Sequence, residues 1–176
     1  MKPLSAGDIR ASLINCSKGE AARLALPRDL AEQPWDDLDF LGWRDPSGAD
    51  RAFLVAESVA GSVAESGDDL IGVVLRCVPP PPGGRYGGGR LAGSRASMCS
   101  LCLTTLPGAG VTLMAAARRA KRDDSVGIRI CADLACSLYV RGKKDLPVGG
   151  RLADTLSVAR KAERIRGNLA AFLARI

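Results

Sequence analysis

The feature that most constrains the fold of this chain is a set of four cysteines arranged in two close pairs. Cys99 and Cys102 are separated by two residues, and Cys131 and Cys136 are separated by four. Two such pairs are typical of a tetrahedral site that binds one structural zinc ion through four thiolates. The chain has no histidine, so the sequence predicts a four-cysteine site. Two disulfides, or four unrelated buried cysteines, are the alternatives.

The residues around the two pairs predict how the chain brings them together. Apolar residues alternate over 111–115 and again over 126–130, as in two half-buried strands, and the charged stretch 118–125 is the expected hairpin tip. After Cys131, Leu134 and Leu138 stand four apart and Gly142 follows. This spacing favours a short helix with Cys136 in its first turn. A knuckle, a hairpin and a helix that supplies the last ligand together describe a treble clef.

The segments 97–104 and 127–144, which carry the two cysteine pairs, resemble the C-terminal treble-clef zinc domain of bacterial proteins that bind elongation factor G. That family includes fusidic-acid-resistance proteins, and many of its members carry a fibronectin-binding label. The resemblance implies one structural zinc ion and a protein that binds elongation factor G and modulates its action or its release on the ribosome.

Composition indicates a chain of one or two small domains, because its 176 residues are 47% apolar and 25% charged. The expected fold class is α+β: N-terminal helices with a small antiparallel sheet, then a treble-clef zinc module with a C-terminal helix. The stretch 79–97 is rich in proline and glycine and reads as a flexible linker. The predicted domains are therefore 1–78 and 98–176.

Local patterns predict the elements of the N-terminal part. Ser5 with Asp8, and Ser17 with Glu20, have the spacing of a capping box and predict two helix starts. Three short apolar runs, bounded by turn residues, predict the strands 41–44, 52–57 and 70–78.

Two further stretches carry predictions of packing. The acidic run 29–45 contains both tryptophans and is interpreted as a solvated turn that the aromatic rings anchor. Near the C-terminus, apolar residues recur at spacings of three and four and predict one terminal helix that packs on the rest of the chain. These residues are Val158, Ala162, Ile165, Leu169, Phe172 and Ile176.

Charge is divided unevenly along the chain. Residues 99–176 hold 14 Lys and Arg against six Asp and Glu, a net charge of +8, whereas residues 1–98 hold 11 against 13, a net charge of −2. The basic half favours an anionic partner, either an acidic protein surface or RNA. The candidate partner-binding residues are Arg118, Arg119, Lys121, Arg122, Tyr139, Arg141, Lys143 and Lys144.

Several function classes are disfavoured. Without histidine the chain lacks the usual acid–base group, and a zinc ion with four protein ligands has no open position for substrate, so we expect no enzyme. The sequence has no long apolar run, which predicts a cytoplasmic protein that does not enter a membrane, and we expect a monomer. The alternatives to elongation factor binding are a zinc-module protein that binds RNA or DNA independently of the factor, and a thiol redox sensor.

Overall fold

The structure is a computed structural model that describes residues 1–48, 50–58, 70–78, 96–119, 123–152 and 154–176. The α-helices are α1 (Ala6–Ala11), α2 (Lys18–Ala22), α3 (Cys136–Val140) and α4 (Val158–Leu173). The strands are β1 (Leu41–Arg44), β2 (Arg51–Glu57), β3 (Leu70–Cys77), β4 (Ser97–Met98), β5 (Thr105–Leu106), β6 (Val111–Ala117) and β7 (Ser125–Cys131). Short 3-10 turns lie at Leu30–Glu32, Trp35–Asp37 and Gly108–Gly110. The α+β class and the predicted strands are confirmed.

Both predicted capping boxes are present. Ser5 Oγ accepts a hydrogen bond from the Asp8 N–H, and the Asp8 carboxylate accepts one from the Ser5 N–H. Ser17 and Glu20 form the same pair of bonds at the start of α2. Each box satisfies N–H groups that a helix start otherwise leaves without partners.

Within the described residues, the main sheet contains five antiparallel strands in the order β1-β2-β3-β6-β7. The strands β3 and β6 pair through Arg76 with Ala115 and Cys77 with Met114. This pairing corrects the predicted division into a domain 1–78 and a domain 98–176, because strands from both sides belong to one sheet. The predicted linker 79–97 lies outside the described residues except for 96 and 97, and Ser97 belongs to β4.

The sheet has a hydrophobic core on each face. In β2, Leu54 and Ala56 face a core shared with the cysteine module and α4, whereas Phe53 and Val55 face a core shared with α1 and the tryptophan segment. Because both faces are covered, the interior of β2 is a continuous apolar run. The first core includes residues from both predicted domains, which is a second reason that they are not separate modules.

The end of α1 extends the sheet contacts of β3. Gly72 exchanges backbone hydrogen bonds with Ser12 and Ile14, and a side chain at Gly72 would clash with Ser12 Oγ. The Asn15 side chain donates to the carbonyls of Val74 and Ala117 and accepts from the Val74 N–H. Asn15 therefore satisfies backbone groups where β3 and β6 diverge.

The acidic segment is less solvated than predicted. Trp35 and Trp43 are buried as expected, but the carboxylates of Asp39 and Asp45 are each only 1% exposed. Asp45 pairs with Arg51, and Asp39 pairs with two arginines from the C-terminal half. Burial of these charges is tolerated because each carboxylate is paired.

The terminal helix forms as predicted. Its buried residues are Ala162, Ile165, Leu169, Phe172 and Leu173, while Val158 is exposed at its first turn. Ser157 caps its start by accepting a hydrogen bond from the Arg160 N–H. Among the described residues, no helix is long and apolar enough to cross a membrane.

Gly42 in β1 packs closely against the loop between Cys131 and Cys136, and this contact requires a residue without a side chain. A Cβ at this position would lie 2.7 Å from Leu134 Cβ and 3.0 Å from the Phe40 ring. We expect Gly42→Ala to lower the free energy of unfolding by about 1–3 kcal/mol, because the nearest atom is fixed to the backbone and cannot swing away. Thermal denaturation followed by circular dichroism measures this change.

Gly167 on α4 is a matched control, since a Cβ there meets nothing within 4 Å. We expect Gly167→Ala to leave stability unchanged or raise it by about 0.5–1 kcal/mol, as alanine favours a helix interior. Equal melting temperatures for wild type and Gly42→Ala would contradict the tight contact between β1 and the loop.

Candidate metal centre

The four predicted cysteines meet at one buried point. Their sulfur atoms all lie within 4.8 Å of one another, and each cysteine has 0% exposure. The Sγ atoms of Cys99 and Cys136 are 3.6 Å apart, as are those of Cys102 and Cys131. Four sulfurs at a Zn–S distance of about 2.3 Å in a tetrahedron stand about 3.8 Å apart. The donor set and its spacing therefore fit one zinc ion.

The first pair is held by a knuckle turn between β4 and β5. Cys99 O accepts a hydrogen bond from the Leu103 N–H at 3.0 Å, and the Cys99 N–H donates to Thr104 O at 2.9 Å. Leu103 adopts a left-handed backbone with φ of 61°, which a leucine adopts only when its surroundings impose it. The Leu101 N–H points at Cys99 Sγ at 3.4 Å, a contact that favours a thiolate.

The second pair joins the end of a strand to the start of a helix. Cys131 is the last residue of β7, and Cys136 is the first residue of α3. Between them, Leu134 also has a left-handed backbone, with φ of 59°, and its N–H donates to Cys131 O. Gly142 follows α3 with φ of 63°, as the sequence predicted for the residue beyond the helix end. The knuckle, the β6–β7 hairpin and α3 form the predicted treble clef.

Residues outside the four ligands fix the position of the knuckle. Thr104 Oγ1, which is fully buried, lies 3.2 Å from Cys102 Sγ. From α4, Asn168 donates to the carbonyls of Ser100 and Leu101, at 3.1 and 3.0 Å. Arg164 Nη2 lies 3.4 Å from Cys102 O. Such outer contacts orient the ligands of a metal site.

The four thiols alter one another's pKa values because their sulfur atoms are in contact. The hydrogen bond with Cys131 lowers the pKa of Cys102, and the same contact raises the pKa of Cys131. The pKa of Cys136 is also raised, because it faces the Cys102 sulfur in a fully buried position. A divalent cation would replace these shared protons and allow all four groups to be thiolates.

Comparison with known proteins agrees with this geometry. A family model described as "FBP C-terminal treble-clef zinc-finger" matches residues 8–176. The chain belongs to this family. No curated protein and no solved structure matches it. The FBP C-terminal treble-clef zinc-finger match begins within α1 and spans the N-terminal strands, so the family domain includes the whole sheet as well as the cysteine module.

Within this treble-clef domain, Asp133 organises the loop between the second pair of cysteines. Its carboxylate accepts hydrogen bonds from the Tyr139 hydroxyl at 2.7 Å and the Ala135 N–H at 3.1 Å, and it pairs with Lys144 at 2.9 Å. Burial opposes ionisation, but the bonds from Lys144 and Tyr139 hold the pKa of Asp133 below its usual value. Burial and the bond to Asp133 raise the pKa of Tyr139. Tyr139 is 7% exposed, so the prediction that it lies on an exposed binding surface is corrected.

Arg141 is also part of the interior, which corrects its place in the predicted basic surface. Its guanidinium contacts both carboxylate oxygens of Asp39, at 2.6 and 3.1 Å, and its side chain is 15% exposed. This bond raises the pKa of Arg141. Arg166 of α4 contacts the same carboxylate at 2.9 Å, and Ser137 Oγ accepts the Asp39 N–H. Asp39 therefore joins β1, α3 and α4.

The other predicted basic residues divide between two places. Lys143 and Lys144 both follow α3. The Lys143 side chain is 60% exposed, and its Nζ lies 3.7 Å from the Asp37 carboxylate. The Lys144 side chain is 43% exposed, and its Nζ lies 2.9 Å from the Asp133 carboxylate. Arg118 pairs with Asp124 at the hairpin tip, and the Arg119 N–H donates to Ile176 O. Lys121 and Arg122 lie outside the described residues.

Sequence reasoning missed the residues that support the metal centre. Thr104, Asp133 and Asn168 contact the ligands or their loops, but none of them stands in a metal-binding spacing. Asn168 lies 67 residues from Leu101, and only the fold brings the two together. A polar residue beside the apolar stripe of α4 was the one available signal.

Proposed function

We propose that this protein is a non-enzymatic interaction protein that binds elongation factor G, and that its zinc ion positions the binding surface. The observation that carries the proposal is the closed cluster of four buried cysteines, which gives zinc four protein ligands and leaves it a structural role. The resemblance of the two cysteine segments to proteins that bind the factor supplies the partner.

The binding surface that we propose consists of the two exposed lysines that come just after α3. Lys143 and Lys144 come three and four residues after Val140, the last residue of α3. The Lys143 N–H donates to Leu138 O, and Lys144 lies over the Tyr139 ring at 5.7 Å. Because α3 begins with the ligand Cys136, zinc fixes the direction in which these lysines point.

The proposal predicts that charge reversal at Lys143 and Lys144 weakens binding. The loop around Asp133 is expected to stay folded, because Asp133 keeps its hydrogen bonds from the Tyr139 hydroxyl and the Ala135 N–H. Close charge pairs contribute ~1–3 kcal/mol each, so Lys143→Glu with Lys144→Glu is expected to lower the affinity for purified elongation factor G by at least tenfold. Isothermal titration calorimetry measures the affinity, and metal analysis checks that zinc is retained. Arg141 is left intact because its charge pairs with buried Asp39.

Lys18→Glu with Arg28→Glu is the matched control, since both residues are exposed in the N-terminal part and the charge change is the same. Equal affinity for wild type and the Lys143/Lys144 variant would move the binding surface elsewhere. No binding by the wild type at micromolar concentration would reject the proposal. Capture of nucleic acid alone from a lysate, lost after nuclease treatment, would favour the nucleic-acid alternative.

A further inference from the structure

We propose that the free edge of β7 and the groove beside it bind a short, extended, acidic segment of a protein partner, which adds as a strand to the sheet. This inference rests on the proposed function in one respect, namely that the partner is a protein. It names a surface separate from the lysines beyond α3.

The strand β7 is at the edge of the five-stranded sheet, and within the described part of the chain it has no strand on its outer side. Arg129 O accepts the Ser100 N–H at 2.8 Å, so the backbone groups of Arg129 point away from β6. Leu113 of β6 is the residue paired with Arg129. Its carbonyl accepts the Val78 N–H, so the backbone groups of Leu113 likewise point away from the other strand of the hairpin.

Alternation along an antiparallel strand extends this direction to Gly127. Residues two apart direct their N–H and C=O groups to the same side, so Gly127 and Ser125 present theirs at the same edge as Arg129. Among the described residues, the knuckle bonds to this edge at Arg129, through Ser100. Gly127 is exposed and has no side chain to keep another backbone away.

A groove of about 430 Å³ runs beside this edge, between the β6–β7 hairpin and α4. None of the described residues that line this groove is acidic. They include Leu113, Gly127, Arg129, Phe172 and Arg175. Arg175 is exposed at the end of α4. The groove therefore combines main-chain hydrogen-bonding groups, apolar walls and positive charge.

These features favour an acidic peptide strand over other ligands. Strand addition uses main-chain groups for affinity and side-chain contacts for specificity, and the arginines select carboxylates. RNA is disfavoured because no described aromatic ring other than buried Phe172 lines the groove, so stacking of bases has no platform.

The test uses the full zinc-loaded chain labelled with 15N and the peptide Ac-Glu-Thr-Glu-Thr-Glu-Thr-amide, with the lysine-for-glutamate peptide as its control. We expect the acidic peptide to shift the amide resonances of Ser125, Gly127 and Arg175 at millimolar concentration, and the lysine peptide to bind at least tenfold more weakly. Shifts confined to Lys143 and Lys144, or equal binding of the two peptides, would overturn the inference. Stronger shifts of the same amides by a single-stranded RNA would also overturn it.

Two variants separate the groove from general effects on folding. Gly127→Pro removes an outward N–H, a change that edge strands tolerate, and is expected to abolish the peptide shifts while zinc content is retained. Arg175→Glu, on the exposed helix end, is expected to reverse the preference between the peptides and keeps the test valid if the proline variant does not fold. Unchanged acidic-peptide binding by a folded variant of either kind would overturn the inference.

Titration of elongation factor G distinguishes this inference from the proposed function. If Gly127→Pro and Arg175→Glu both leave the affinity for the factor unchanged, the factor does not bind at the groove, while the proposed function would stand. Peptide binding at the groove by a wild type that does not bind the factor would support the inference and reject the proposed function.

Discussion

Replacement of Cys136 by serine is expected to abolish zinc binding and to unfold the protein. A structural zinc site contributes ~10–16 kcal/mol to folding, whereas the net stability of a domain is only ~5–15 kcal/mol. Loss of one ligand therefore removes a free energy comparable to the entire stability. Because the cysteines belong to the same core as the N-terminal strands β2 and β3, unfolding should extend beyond the C-terminal half.

Metal analysis and thermal denaturation test this prediction together. Wild type should contain one zinc ion per chain, and Cys136→Ser should contain none and show no cooperative transition. Cys16→Ser is the control, because Cys16 lies outside the cluster and its loss should leave both properties unchanged. Stoichiometric zinc in folded Cys136→Ser would show that the four-cysteine assignment is wrong.

The second large effect is expected from Asp39→Asn. The change leaves the largely buried Arg141 guanidinium without its bidentate carboxylate partner, and breaking a buried ion pair on one side costs ~3–5 kcal/mol. Loss of the contact with Arg166 is expected to contribute the smaller part of this destabilisation, since the Arg166 side chain is 51% exposed. For a chain of this size we expect the melting temperature to fall by about 6–20 °C.

Asp37→Asn provides the comparison for this variant. Asp37 is two residues away and also faces a basic residue, but its carboxylate is 30% exposed and lies 3.7 Å from Lys143 Nζ. The expected loss is therefore below about 1 kcal/mol. Both variants should retain zinc, since neither residue contacts a ligand cysteine. Similar melting temperatures for the two variants would show that the Asp39 cluster does not stabilise the fold as its burial implies.

The local parts of the fold could be predicted from sequence because their signals are local. The capping boxes at Ser5 and Ser17 depend on residues three apart, the strands on alternation, and the zinc ligands on spacing within each pair. These are the patterns that short-range chemistry determines. The same reasoning gave the treble clef, since its ligands come from a turn, a strand end and a helix start.

The parts that could not be predicted depend on contacts between distant residues. The β3–β6 pairing joins residues on either side of a proline- and glycine-rich stretch, and composition there indicated separation. Asp39 stands in an acidic run that favours solvent exposure, and its partners lie 102 and 127 residues further along the chain. Arg141 belongs to a basic sequence cluster, so its internal pairing also had no local signal.

The position of Asp39 has a consequence for the time course of synthesis. Ribosomes add ~5–20 residues per second, so Arg141 and Arg166 follow Asp39 by roughly 5–25 s over those 102 and 127 residues. During this interval the β1–β3 strands can pair with one another, but their face toward α4 stays uncovered. The nascent chain therefore exposes a carboxylate and an apolar sheet face until α4 has been made, and this side of the native core closes only once that helix is available.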